Sequence, residues 1–106
     1  MKQPELDIDG YPTEETLAAI AAWPIKCNKD IQNLLEFAGE AWSYPFPVET
    51  GGEDEDRWIR VVTGGWSGNE SLVGAMEENR MFWALCWLES RRGGSYKFYT
   101  HPIKES

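Results

Sequence analysis

Histidine, cysteine and cationic side chains are all scarce in this chain, and each scarcity removes a class of function. One histidine (His101) and two cysteines (Cys27 and Cys86) far apart in sequence leave no ligand pair at i, i+3 or i+4 spacing. That inventory cannot close a zinc site, and neither thiol has an evident activating base. Nothing points to an oxidising compartment, so a disulfide is not expected. Lysine and arginine number 10 against 18 aspartates and glutamates, a formal net charge of −8. A nucleic-acid backbone or an anionic membrane rewards the opposite balance, so neither is the expected partner. The longest apolar run, Met81 to Leu88, falls far short of the roughly 20 residues that cross a bilayer. The first residues, MKQPELDIDG, have no apolar stretch of the signal-peptide kind, so a cytoplasmic location is expected.

What is present suffices for one domain, residues 1–106. Hydrophobic residues make up 42% of the chain, which supports a packed core and argues against general disorder. Charge is divided unevenly. Residues 1–56 carry 13 acids against 3 bases, and residues 57–106 carry 5 against 7. The first half suits a basic partner; the second is close enough to neutral to hold an anion.

Residues 1–10 show little periodicity and read as a flexible N-terminal arm. YPTEETLAAIAAWP then predicts a short helix, with Thr13 as cap, Glu14 and Glu15 at the positive end of the dipole, and Pro24 as stop. A second helix is predicted from about Lys29 to Trp42, capped by Asn28, with Ile31, Leu34, Leu35 and Ala38 in its stripe. An acidic loop is expected over about 43–56, because Pro45 and Pro47 forbid helix and Gly51-Gly52 precedes four acids. RWIRVVT reads as a strand whose imperfect alternation suggests cover on both faces. Ser67 and Glu70 have the spacing of a capping box and open a third helix. Beyond Asn79 two continuations are open. The helix runs on through Trp83 and Trp87, or MFWALCWLES forms a strand that turns at RRGG into SYKFYTH. Aromatic density and Gly93-Gly94 favour the hairpin. The expected fold is therefore α+β, in the order α-α-β-α-β-β, with three helices and a mainly antiparallel three-stranded sheet.

Three constellations carry candidate chemistry. Gly64 and Gly65 precede a helix start, where backbone N–H groups and the dipole favour an anion. Ser67, with Arg91 and Arg92 from the RRGG turn, would complete such a site. Ser67 and Glu70 compete for the same N–H groups, and the spacing is not that of a P-loop. Glu5, Asp7, Asp9 and Gly10 match the start of a calcium loop, but Thr16 stands where the bidentate glutamate belongs; a turn and helix cap is the simpler reading. The third constellation is the acidic run Glu53, Asp54, Glu55 and Asp56, whose bland reading is a solvated loop. Its functional reading is a negative surface for a basic protein. Fourteen aromatic residues exceed what a small core must hold, and Tyr44, Phe46 and Trp66 fall in loops or turns where interface anchors are common. Caps on the sheet edge are the equal alternative for these rings.

At GYPTEETLAAI, TGGWSGNE, the FWALCW run and SRRGGSYKF, the chain resembles a group of small uncharacterised phage and prophage proteins. That group often has a histidine between RRGG and the aromatic pair, where Ser95 stands here. The resemblance implies a phage-encoded protein in a bacterial cytoplasm and supplies no activity. No catalytic set stands out and no metal or cofactor is called for. The leading expectation is a non-enzymatic phage accessory protein that binds and inhibits a host protein, plausibly one handling nucleic acid or host defence. The alternative is a small anion or nucleotide binder, or an enzyme, built on TGGWSGNE and RRGG.

Overall fold

Thr13 caps the first helix as its side chain predicts, its Oγ1 accepting the Thr16 N–H at 3.2 Å. The computed structural model describes residues 3–104. Helix α1 spans Glu14–Ala21 and α2 spans Asn28–Ala41. Strand β1 is Glu49–Gly51, and a 3-10 turn follows at Asp54–Asp56. Next come β2 (Trp58–Val62), α3 (Ser67–Glu78), α4 (Arg80–Cys86), β3 (Trp87–Arg91) and β4 (Ser95–Tyr99). The α+β class is as expected, but the described residues form four helices and four strands, one more of each than predicted. The sheet is antiparallel throughout, in the order β1-β2-β4-β3.

The extra helix comes from Asn79. Its backbone leaves the helical region (ψ 91°), which ends α3. Its Oδ1 then accepts the Phe82 N–H at 3.1 Å and caps α4. The Nδ2 donates to the carbonyls of Ile20 and Trp23, each at 2.9 Å, so the same amide holds the end of α1. FWALCW is therefore neither the predicted strand nor part of one long helix. Its first five residues complete α4, which buries Phe82 and Cys86, and Trp87 begins the hairpin strand. The RRGG turn and the partner strand SYKFY are as predicted, with Phe98 buried and Tyr96 packed beside the core.

The extra strand was hidden by the acidic character of the 43–56 segment. Thr50 pairs with Ile59 and Gly51 with Trp58, while Val48 N–H reaches Arg60 O at 2.9 Å. What holds β1 is a side chain on the next strand. Arg60 donates to Glu49 at 3.0 Å, to Ser95 Oγ at 2.8 Å and to Glu89 at 3.2 Å, so one guanidinium touches all four strands. Ile59 and Val61 face the core with Tyr96 and Phe98. Trp58, Arg60, Val62, Lys97 and Tyr99 alternate onto the opposite face. That face is half-buried under its own side chains, with Lys97 Nζ 3.9 Å from the Trp58 ring centroid. The strand is thus packed against helices on one side only, not on both.

Two further expectations shift. The capping box does not form: Trp66 takes the non-helical cap conformation, so Ser67 is the first helical residue and its hydroxyl makes no cap. Asn28 likewise starts α2 from inside, with Cys27 at the cap; its amide instead pairs reciprocally with the Ile103 backbone at 2.7 and 3.0 Å. Within the arm expected over 1–10, Glu5 and Leu6 contact the segment that leads into α1. Thr16 Oγ1 exchanges hydrogen bonds with the Glu5 backbone, and Leu6 pairs with Pro12. Residues 1 and 2 lie outside the described part. The Cα radius of gyration is 13.0 Å, close to the ~13 Å of a compact 100-residue domain.

Two outcomes follow for stability. Asn79→Ala should lower the unfolding free energy by about 3 kcal/mol in denaturant titration, because buried backbone groups lose their partner; a loss under about 1 kcal/mol would show that Asn79 does not hold the α1–α3–α4 joint. Glu89 supplies a pH dependence. Burial pushes its carboxyl up, but Arg91, Arg60 and Lys97 outweigh that and hold it below its usual range. A depressed carboxyl stabilises the fold above its unfolded value of about 4.3 and loses that contribution as pH falls through the folded value. Wild type should therefore exceed Glu89→Gln in melting temperature at neutral pH, and the difference should shrink as acid protonates the depressed Glu89 carboxylate.

Candidate functional site

An open apolar groove lies along one side of α2. Gln32, Leu35, Glu36, Gly39 and Glu40 recur at helical spacing and form one wall. Phe46, Pro47 and Ile59 form the other, Thr100 and His101 lie at one end, and the volume is about 470 Å³. Leu35 is buried, whereas Glu36 and Glu40 stand exposed on the rim. The result is an apolar floor with a carboxylate edge.

Gly39 sets the width of this groove. The Phe46 ring lies against it so closely that a Cβ there would sit 2.8 Å from Phe46 Cδ1. The other side of the ring meets Trp42 edge-on, with centroids 5.3 Å apart, and Trp42 Nε1 donates to Val62 O at 3.1 Å. Phe46 is therefore a fixed wall. At the polar end, the Gln32 amide is 2.7 Å from His101 Nε2, and Thr100 Oγ1 is 2.7 Å from His101 Nδ1. With Gln32 donating, the ring proton is assigned to Nδ1 and is given to Thr100.

A second concavity, of about 200 Å³, shares His101 and is lined by Asn28, Asp54, Glu55, Arg57 and Ile103. The acidic turn thus borders the groove's polar end. Glu53, Asp54, Glu55 and Asp56 are all exposed. Among the described residues the ion pairs are Arg60 with Glu49 and Glu89, and Arg91 with Glu89; the turn takes part in none. Arg57 offers the turn only a hydrogen bond, from Nε to Asp54 O at 3.0 Å.

The structure sorts the sequence-predicted residues into two places. Phe46 and the 53–56 turn belong to the groove face. Tyr44 and Trp66 belong elsewhere: Tyr44 lies on Gly64, while Trp66 covers Gly68 and stacks on Tyr11 at 4.9 Å. The TGG and RRGG turns do meet, with Thr63 N–H donating to Gly94 O at 2.9 Å. Arg91, however, is held by Glu89 at 2.9 Å along the sheet edge. Gly64 and Gly65 carry positive φ in the turn before α3, Ser67 and Arg92 are exposed, and Glu70 occupies the first helical turn.

Asp7 Oδ1 accepts the N–H groups of Asp9 and Tyr11, so the calcium-like stretch is a self-satisfied turn. No group of three or more metal-ligating side chains gathers among the described residues. Burial pushes the Cys86 thiol up to about 12, which keeps it protonated at neutral pH. No helix among the described residues is long and apolar enough to cross a membrane. Comparison with protein-family models, curated proteins and solved structures finds no significant match.

Sequence reasoning missed Gln32, Glu36, Gly39, Glu40, Ile59 and His101. Gly39 was the available signal, since a glycine inside an amphipathic helix usually marks a close approach. Gly39→Ala tests that role. Alanine favours helix by about 1 kcal/mol, so α2 should persist, while the Phe46 ring signals in an NMR spectrum should shift as the ring gives way. Unchanged ring signals would show that Gly39 does not set the groove.

Proposed function

We propose that this protein is a non-enzymatic accessory factor that binds a basic host protein through the groove face. The observation that carries the reading is the 53–56 turn: four exposed carboxylates, in no ion pair among the described residues, beside an apolar hollow rimmed by Glu36 and Glu40. Unpaired like charges in one place cost the fold self-repulsion and speed the capture of an oppositely charged surface. An apolar floor beside them supplies the anchor that charge alone lacks. The resemblance to small phage and prophage proteins supports a bacterial host as the setting. Inhibition by occupying a site that normally takes nucleic acid is the mode consistent with this charge.

The test is affinity capture from a bacterial lysate at low and high salt, with wild type and with Glu53, Asp54, Glu55 and Asp56 all changed to lysine. One dominant, salt-sensitive partner is expected with wild type and should be lost with the reversed turn. Capture that is indifferent to both salt and charge reversal would remove the acidic turn from the interface.

A further inference from the structure

The groove's chemistry restricts what can lie in it, and this restriction deepens the accessory-factor reading on which it rests. Its floor is apolar: Leu35, Ile59 and the fixed ring of Phe46. Carboxylates flank it at both ends, Glu36 and Glu40 along α2, and Asp54 and Glu55 beyond His101. Among the described residues, Arg57 is the one arginine or lysine that lines either hollow. From Gln32 to Glu40 the α2 wall is about 12 Å long at 1.5 Å per residue, which matches about four extended residues. An anionic ligand would meet repulsion at both ends. A purely apolar one would leave the rim carboxylates facing desolvation without a partner.

We infer that the groove receives a short segment of the partner protein in which one or two large apolar side chains are flanked on both sides by lysine or arginine. The apolar side chains sit between Leu35, Phe46 and Ile59. The flanking cations reach Glu36 and Glu40 on one side and the 53–56 turn on the other. With Gln32 Nε2 turned to His101, its Oε1 remains an acceptor for a backbone N–H of the segment.

Fluorescence anisotropy with three labelled synthetic peptides tests this directly: GRKLLKRG, GRKSSKRG without the apolar pair, and GDELLEDG with the charges reversed. GRKLLKRG should bind saturably, GRKSSKRG about tenfold more weakly, and GDELLEDG not at all. The double variant Glu36→Lys/Glu40→Lys, both at exposed positions, should weaken GRKLLKRG by about tenfold or more with an unchanged circular dichroism spectrum. Equal binding of GRKLLKRG and GRKSSKRG would mean charge alone and would overturn the assignment. So would indifference to the α2 variant, or no binding at all. The outcomes separate from those of the lysate experiment. A partner captured through the acidic turn while no peptide binds leaves the accessory reading standing and the groove assignment refuted. Peptide binding with no captured partner does the reverse.

Discussion

A single buried amide governs how this chain uses its helical segments. Asn79 ends α3, starts α4 and closes the end of α1, using one oxygen and both hydrogens of its side chain. The Ile20 carbonyl also accepts the Trp23 N–H at 3.2 Å, whereas the buried Phe82 N–H is met by Asn79, and folded proteins rarely leave such a group unpaired. Because the chain bends at this point, α4 can bury Phe82 and Cys86 and still deliver Trp87 to the sheet. The two other buried asparagines fasten loops in the same way. Asn69 accepts the Ser43 N–H and donates to Thr63 O, and Asn28 holds the Ile103 backbone. The position of His101 depends on that last clip, since Ile103 follows it closely.

The sheet is organised around a charge instead. The pKa of the Arg60 guanidinium is raised above its already high ordinary value, chiefly by the hydrogen bond it donates to Glu49, so it remains a cation throughout the ordinary pH range. It draws carboxylates from both outer strands toward the middle of the sheet, which leaves Glu49 and Glu89 committed to structure. Among the described residues, the acids of the 53–56 turn and the rim of α2 form no ion pair. Part of the acidity is therefore structural, while Glu36, Glu40 and the 53–56 turn lie exposed beside the apolar hollow along α2.

Much of the fold was legible because local signals agreed with tertiary ones. Thr13 before two glutamates and the stripe of α2 each had one sensible reading, and of the two readings open beyond Asn79, Gly93-Gly94 between aromatic segments favoured the hairpin turn that forms. The failures share a cause: a side chain used for a long-range purpose. Ser67 and Glu70 had capping-box spacing, but Trp66, stacked on the distant Tyr11, took the cap position. Asn28 looked like a cap and was spent on residue 103. Strand β1 read as loop because its pairing depends on Arg60, eleven residues from Glu49. The candidate site was half legible. Phe46 and the acidic turn stood out by type, whereas the α2 wall and His101 come together only through contacts distant in sequence, such as the one from Gln32 to His101.

The surplus of aromatic residues has its account in the glycines. Phe46 rests on Gly39, Trp58 on Gly51, Tyr44 on Gly64 and Trp66 on Gly68. A ring laid on bare backbone and met by a further side chain, as Phe46 is by Trp42, Trp58 by Lys97 and Trp66 by Tyr11, has its torsions already restricted. Ordering such a side chain on contact with another molecule usually costs about 0.5–1.5 kcal/mol of entropy. Here most of that freedom is surrendered when the chain folds, so the rings meet any later contact as rigid surface.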